Sequence, residues 1–455
     1  MDRALHALDS RCSGMQSGLE GQVDPEWHTL TPAARGRAIN NSCARLLRER
    51  SSVVPMAVLI EDLHWIDEAS RSVIEAVLAT LDTSRVLVIA TARMGYATEW
   101  LPATTIRLSA LRHAEGLELI SAMLRADATP ALKEQIFRHT GGVPLFIEEV
   151  CRDVGTRKVQ NLGLQPEPTL QSLNVPRTVH GVIATRIDRL EGPSKQLLQS
   201  ASALGRRCNA QLLHSISALD LASFALALTR LQQSGLLVVD ESGNGDLLFP
   251  HDSLRQVAYE SMRESTRVQL HESVLAALEH ELLADGIART SELCWHAQGA
   301  RQWQKACAYA RAVSKACMAR SAFADAAAYV DIALNALENL PAGLGREQQA
   351  IDLRIESRVV FSGYGRVAKW LDLAKEAGER AFAVSDDYRH LSATAVRAAA
   401  LNFYGDAREA IAANSLALAK AEALGDAAWL NYVEYALGQA YFTAGHLNAA
   451  DQMLE

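Results

Sequence analysis

The apolar run Met56-Ala-Val-Leu-Ile60 ends directly in Glu61-Asp62, and this junction constrains the fold more than any other stretch of the chain. A strand with no polar alternation is the kind buried at the centre of a parallel sheet. A second such run, Val86 to Thr91, follows a helical pattern over Glu68 to Leu81. Strand, helix, strand in that order predicts a parallel α/β sheet. Adjacent carboxylates leaving a buried strand, followed by His64-Trp65, suit acids delivered to a nucleotide's magnesium ion. A P-loop needs Gly-rich backbone and a lysine, yet no Gly-Lys dipeptide occurs in the 455 residues.

The chain is long enough for about three domains. Ala and Leu abound while aromatics are only 6% of residues, a balance that favours helices. A formal charge of -8 gives no support to a protein that coats nucleic acid. The seven cysteines (Cys12, Cys43, Cys151, Cys208, Cys294, Cys307, Cys317) lack Cys-x-x-Cys or Cys/His metal spacing. They predict inert, buried thiols and a reduced cytoplasmic setting. No secretory leader pattern and no apolar run near the ~20 residues of a membrane span are present.

Along the chain, residues 1–50 read as a leader punctuated by Gly14, Gly18 and Gly21, then a helix over Pro32 to Glu49. Residues 51–110 hold the acid-bearing α/β part. Residues 111–160 read as a helical lid, with helices at Ala114–Leu124, Pro130–His139 and Phe146–Val154 around the turn Thr140-Gly-Gly-Val-Pro144. Residues 161–176, with Pro166, Pro168 and Pro176, read as a linker. Residues 177–250 give three helical patterns (Thr178–Leu190, Ser194–Leu204, Leu221–Ser234) and a hairpin around Gly243-Asn-Gly245, which together predict a winged helix. Residues 251–455 are helical and Ala-rich. Gly405 and Gly445 stand at equivalent turns, Phe323-Ala-Asp-Ala-Ala327 is a weaker partner, and Leu437, Tyr441 and Leu447 are expected between helices of degenerate tetratricopeptide-like units. The last residue, Glu455, falls inside such a unit, so this end is expected to be truncated.

The ordered set Val58-Leu-Ile-Glu-Asp-Leu-His-Trp-Ile-Asp67, Val88-Ile-Ala-Thr-Ala-Arg93, Thr140-Gly-Gly-Val-Pro-Leu-Phe-Ile-Glu-Glu149, Val175-Pro176, Arg186-Ile-Asp-Arg-Leu190 and Phe249-Pro-His-Asp252 resembles the STAND-class predicted ATPases. These regulators attach such a module and helical repeats to class III adenylate/guanylate cyclase domains or to LuxR-type DNA-binding domains. The resemblance covers roughly residues 35–455. It implies a multidomain architecture: a partial P-loop-type NTPase with a parallel sheet, a helical lid, a winged helix and an all-α TPR-like solenoid. Relative to that family the chain lacks the Walker A part and any output domain. A partial gene or split reading frame accounts for both ends, with a P-loop-free homologue as the rival explanation.

What the resemblance implies for single residues stands beside a plainer reading of each. Glu61 and Asp62 match the Walker B pair and would hold magnesium and polarise the attacking water. Glu61 replaces the more usual Asp, and alone the two acids would be a solvated helix start. Arg93 matches the sensor 1 arginine, able to meet γ-phosphate oxygens bidentately, with Thr91 nearby; alone it would be a surface ion-pair partner. Gly142 and Pro144 match the GxP element whose proline packs on adenine, and also suit a helix start. His251 matches a histidine that clamps the β-phosphate of ADP, while Asp252 suits an N-cap. His64 and Trp65 are expected to pack behind the acids. Arg186, Arg189, Arg206 and Arg207 are interrupted by Asp188 and Glu191, which favours domain packing over a basic DNA face.

The function so implied is a signal-transducing ATP/ADP and Mg2+ switch, with a protein or small-molecule signal on the repeats, no membrane and no nucleic acid within these residues. A non-catalytic scaffold whose repeats bind a protein, or part of a LuxR-type transcription regulator, is the alternative.

Overall fold

The computed structural model describes residues 32–96, 103–124, 128–160, 175–240, 245–285, 289–320, 322–404 and 407–454. They group into two compact units that do not follow chain order, one of residues 1–102 with 282–455 and one of residues 103–281. The leader to Thr31, the proline-rich 161–174, the Gly243-Asn244 turn and Gly405 lie outside the described residues.

In the first unit, α1 (Pro32–Val53) leads into β1 (Met56–Ile60), α2 (Glu68–Leu78) and β2 (Val86–Ala90). The strands pair in parallel with Met56 opposite Val86 and Ile60 opposite Ala90, the β-α-β order expected of two apolar runs around a helix. Asp67 caps α2, its carboxylate accepting from the Ser70 amide at 2.6 Å. Helix α1 packs on α2, tied by Asn40 Nδ2 to Ser72 Oγ at 2.6 Å, and Arg85 Nε donates to the Ser51 carbonyl at 3.0 Å.

The expectation of a buried central strand is corrected. Among the described residues the sheet has two strands, and alternate residues of each stand open: Leu59 and Leu87 are both 61% exposed. A parallel sheet reads apolar on both faces because both are normally covered. Here the covering helices leave one face open.

The same unit continues as a stack of helices: α12 (Thr290–Gly299), α13 (Trp303–Ala319), α14 (Phe323–Glu338), α15 (Leu344–Glu356), α16 (Arg358–Gly363), α17 (Val367–Ala383), α18 (Asp387–Tyr404), α19 (Ala407–Leu424), α20 (Ala427–Thr443) and α21 (Leu447–Leu454). Successive helices pack on one another, with α15 packing most on α17, giving a solenoid-like array. Positive-φ residues punctuate it at Gly365 and Ser385, twenty residues apart, and again at Gly425 and Gly445, also twenty apart. Alanines such as Ala395, Ala417 and Ala421 are fully buried and allow close helix approach, and Leu437 is buried as expected. Leu447 corrects the expected set: it is exposed.

The second unit holds α3 (His113–Leu124), α4 (Pro130–Thr140), α5 (Pro144–Gln160), α6 (Val179–Asp188), α7 (Gly192–Leu204), β3 (Arg207–Cys208), α8 (Ala210–Ile216), α9 (Leu221–Gln233), β4 (Val238–Val239), β5 (Leu247–Leu248) and α10 (Asp252–Glu260). Helix α11 (Glu264–Asp285) runs past its end. Strand β5 pairs antiparallel with both β3 and β4. The hairpin had been legible; β3 and α8 had not, being two and seven residues long. One core joins Ile183, Ile187, Leu198, Leu213, Leu231 and Phe249; another joins Ile120, Ile136, Phe146, Ile147, Val150 and Val182. Five of the described cysteines are buried, and burial pushes the Cys151 and Cys208 thiols up to about 12. Among the described residues no helix is long and apolar enough to cross a membrane.

Candidate functional site

Both strands of the parallel pair end at the same level, so Glu61-Asp62 and Arg93 leave the sheet at one edge, the carboxyl ends of the strands. Open α/β sheets bind ligands in the crevice outside those ends. Thr91 fixes the geometry. Its amide donates to the Ile60 carbonyl at 2.9 Å, its carbonyl accepts from the Leu63 amide at 2.7 Å, and its hydroxyl accepts from the Asp62 amide at 3.0 Å. Asp62 itself is left-handed, with φ 54° and ψ 45°, a conformation that an aspartate tolerates better than most residues. The turn swings the chain into a short 3-10 segment, Leu63–Trp65, anchored by buried Leu63.

Glu61, Asp62 and Arg93 are all exposed. His64 tucks in: neither imidazole nitrogen is hydrogen-bonded, and Nδ1 lies 4.0 Å from Asp62 Oδ1. Trp65 corrects the expectation that it packs behind the acids, since it is 75% exposed. Among the described residues no group of three or more His, Cys, Asp or Glu gathers in metal-binding geometry. Two carboxylates suit magnesium, which is commonly held by one or two acids together with phosphate oxygens and water.

The remaining predicted residues belong to the other unit. Gly142 has φ +76°, and a Cβ there would sit 2.5 Å from the Leu111 carbonyl oxygen, so both its conformation and its surroundings require glycine. The Gly142 carbonyl accepts from the Leu111 amide at 2.8 Å. Pro144 is exposed and begins α5, where its missing N–H costs nothing. His251 precedes α10 as its cap residue without a side-chain cap bond, and its Nε2 lies 3.8 Å from Glu148 Oε2, one turn after Pro144. Asp252 differs from the expected N-cap: it is the first helical residue, and its carboxylate accepts from Arg255 Nε at 2.6 Å. Three of the six predicted residues thus lie in each unit.

Sequence reasoning missed the charged face of α5. Glu149 and Asp153 are buried and pair with Arg186 and Arg189 of the following helix. The signal was present, because Glu148-Glu149 and Arg186-Ile-Asp-Arg189 both stand in the motifs read from sequence. Arg207 pairs with Asp240 on the hairpin. Arg186 is buried in its pair, in keeping with the packing role expected of it, whereas Arg189 and Arg207 pair with acids while staying partly exposed.

No protein-family model matches the chain. An uncharacterized protein of Rhizobium meliloti (strain 1021) is 28% identical over 314 residues, which is 66% of this chain and 30% of that protein. The chain therefore spans under a third of the length of that relative. Among solved structures, the Signal Transduction ATPase with Numerous Domains (STAND) protein with a tetratricopeptide repeat sensor from Pyrococcus horikoshii aligns over 92% of this chain and 64% of its own. The alignment has a TM-score of 0.41 and 14% identity, a loose likeness.

Proposed function

We propose that this chain is a nucleotide-responsive signalling module, with ATP binding and hydrolysis as the switch and the helical repeats as its sensing surface. The observation that carries the reading is the Thr91 stitch, which fixes Glu61-Asp62 beyond the carboxyl end of one strand, with Arg93 two residues after Thr91 at the same end of its parallel partner. In this reading Glu61 and Asp62 hold magnesium with the phosphates, and Arg93 reports the γ-phosphate through its planar guanidinium. Magnesium, when bound, would neutralise developing phosphate charge. Gly142 brings backbone close so that Pro144 can face a base, and His251 stands as a phosphate donor fixed near Glu148. The three-stranded antiparallel sheet with α6, α7 and α9 supports a winged helix, and α3 to α5 a lid. Attachment to a cyclase or to a LuxR-type output is part of the proposal that rests on motif order alone.

A second reading, a scaffold that binds a protein, is favoured by one feature of the repeats. Asn402, Phe403, Tyr435, Gln439, Phe442 and Thr443 line an open groove of about 420 Å³ with exposed aromatic faces and no charge.

Titration of the intact chain with a fluorescent ATP analogue and magnesium separates the two. Saturable binding that is lost in Glu61→Ala/Asp62→Ala protein sustains the switch. Absence of saturation up to millimolar nucleotide sinks it and leaves the scaffold.

A further inference from the structure

Two buried carboxylates on α5 form a joint that the proposed switch does not itself require. Glu149 is fully buried and accepts from Arg152 Nη1 at 2.9 Å and from Arg186, itself almost buried on α6. Arg186 also donates to the Ser234 carbonyl at 2.7 Å, in the turn after α9. One helical turn further along α5, buried Asp153 pairs with Arg189, the cap residue of α6. The pairs stand beside a shared apolar core, in which Ile147, Val150 and Val154 of α5 pack with Val175 and with Val182 of α6. His139 adds a 2.7 Å contact to the Pro176 carbonyl.

A buried carboxylate is tolerated only while its cations stay in place, because separation strands a charge in a low-dielectric interior. The two pairs therefore oppose any hinge between α5 and α6. Pro144 begins α5, and His251 caps the start of α10, which packs on α6 and α7. The 3.8 Å approach of Glu148 to His251 closes the ring.

We propose that α5, α6 and α10 form one rigid arm with Glu149 at its hub: the Glu149–Arg186 and Asp153–Arg189 pairs fix α5 to α6, so Pro144 and His251 move as a single body and switching motion hinges outside it. Glu149 is then a positioning residue for both. The functional meaning rests on the nucleotide-switch reading, whereas the joint and its test need no nucleotide.

Hydrogen exchange on the intact chain without nucleotide tests it. Mid-helix amides of α5, α6 and α10 are expected to share one opening equilibrium, within about threefold, as members of one cooperative unit. Glu149→Gln is expected to raise opening about tenfold or more in α5, α6 and the Ser234 turn together, the effect of about 1.4 kcal/mol. Arg189→Gln removes the more exposed pair and keeps the test available if Glu149→Gln fails to fold; it too should loosen both helices. Wild-type α5 opening some hundredfold more readily than α6 and α10, or a variant effect confined to α5, would overturn the arm. Repeating the exchange with an ATP analogue and magnesium adds a separate check. Protection changes between α5 and α6 also overturn the arm, while changes only at its ends support it. A chain that ignores nucleotide counts against the switch and leaves the nucleotide-free result to decide the arm.

Discussion

Glu61-Asp62 and Glu148-Glu149 are both acidic dipeptides at the edge of an apolar segment, and the fold uses them in opposite ways. The first pair stands in solvent beyond a strand, held by backbone bonds to Thr91, with Asp62 in a left-handed conformation. In the second, Glu149 is buried with two arginines, and Glu148 reaches Arg152 and His251. An exposed carboxylate is cheap to leave without a protein cation and is therefore free to meet a ligand. A buried one must be matched within the fold, which makes it an architectural element.

The sharpest way to break this contrast is stability. Glu149→Ala is expected to cost about 3–5 kcal/mol in urea unfolding, because Arg186 would remain buried without its acid. A loss no greater than for a surface site would remove the distinction.

Acid titration probes another buried group of the same unit. Burial lowers the His271 imidazole to about 4 from an ordinary 6.5, with Tyr259 Oη 2.7 Å from its Nε2. The unfolded chain takes up this proton first, so the contribution is full above pH 6.5 and is lost as the pH falls towards 4. The wild-type minus His271→Gln difference should shrink over that window by on the order of 3 kcal/mol. A difference that stays flat from pH 7 to 4 would show that His271 is not held neutral.

Gly142→Ala is next. Positive φ and the Leu111 oxygen together predict a loss of about 1–3 kcal/mol, read as a lowered melting temperature. Gly141→Ala, with φ +60° and open space around it, should cost less. Removing the α2 cap by Asp67→Ala should cost about 1 kcal/mol and leave residues 103–281 unaffected. The smallest effect belongs to Glu61→Gln/Asp62→Asn, within about 0.5 kcal/mol of wild type, because asparagine shares the aspartate's tolerance of the left-handed backbone at position 62. Marked destabilisation there would mean that these acids are structural after all.

Much of the local architecture was legible because its signals are local. Uninterrupted apolar runs placed β1 and β2 to within a residue, and Gly445 marks a turn of the repeat array as its spacing indicated. Strand β3 and helix α8 were missed because two and seven residues carry too little periodicity to register. The acid dipeptide, Arg93 and Thr91 were all visible as residues near strand ends, but the Thr91 hydroxyl reaching the Asp62 amide is a contact across 29 positions. Trp65 and Leu447 were misplaced for a common reason: large apolar side chains are expected inside, yet burial depends on which neighbours arrive.

By itself the sequence determined which segments become strands and helices and which residues stand at their ends, since propensity, capping and periodicity act within a few positions. Only the tertiary structure decided which acids are exposed, which arginines they meet, and that Leu59 and Leu87 lie on an open face. Burial and charge pairing belong to segments brought together from distant parts of the chain, and an acid's chemistry follows from the water and cations left around it.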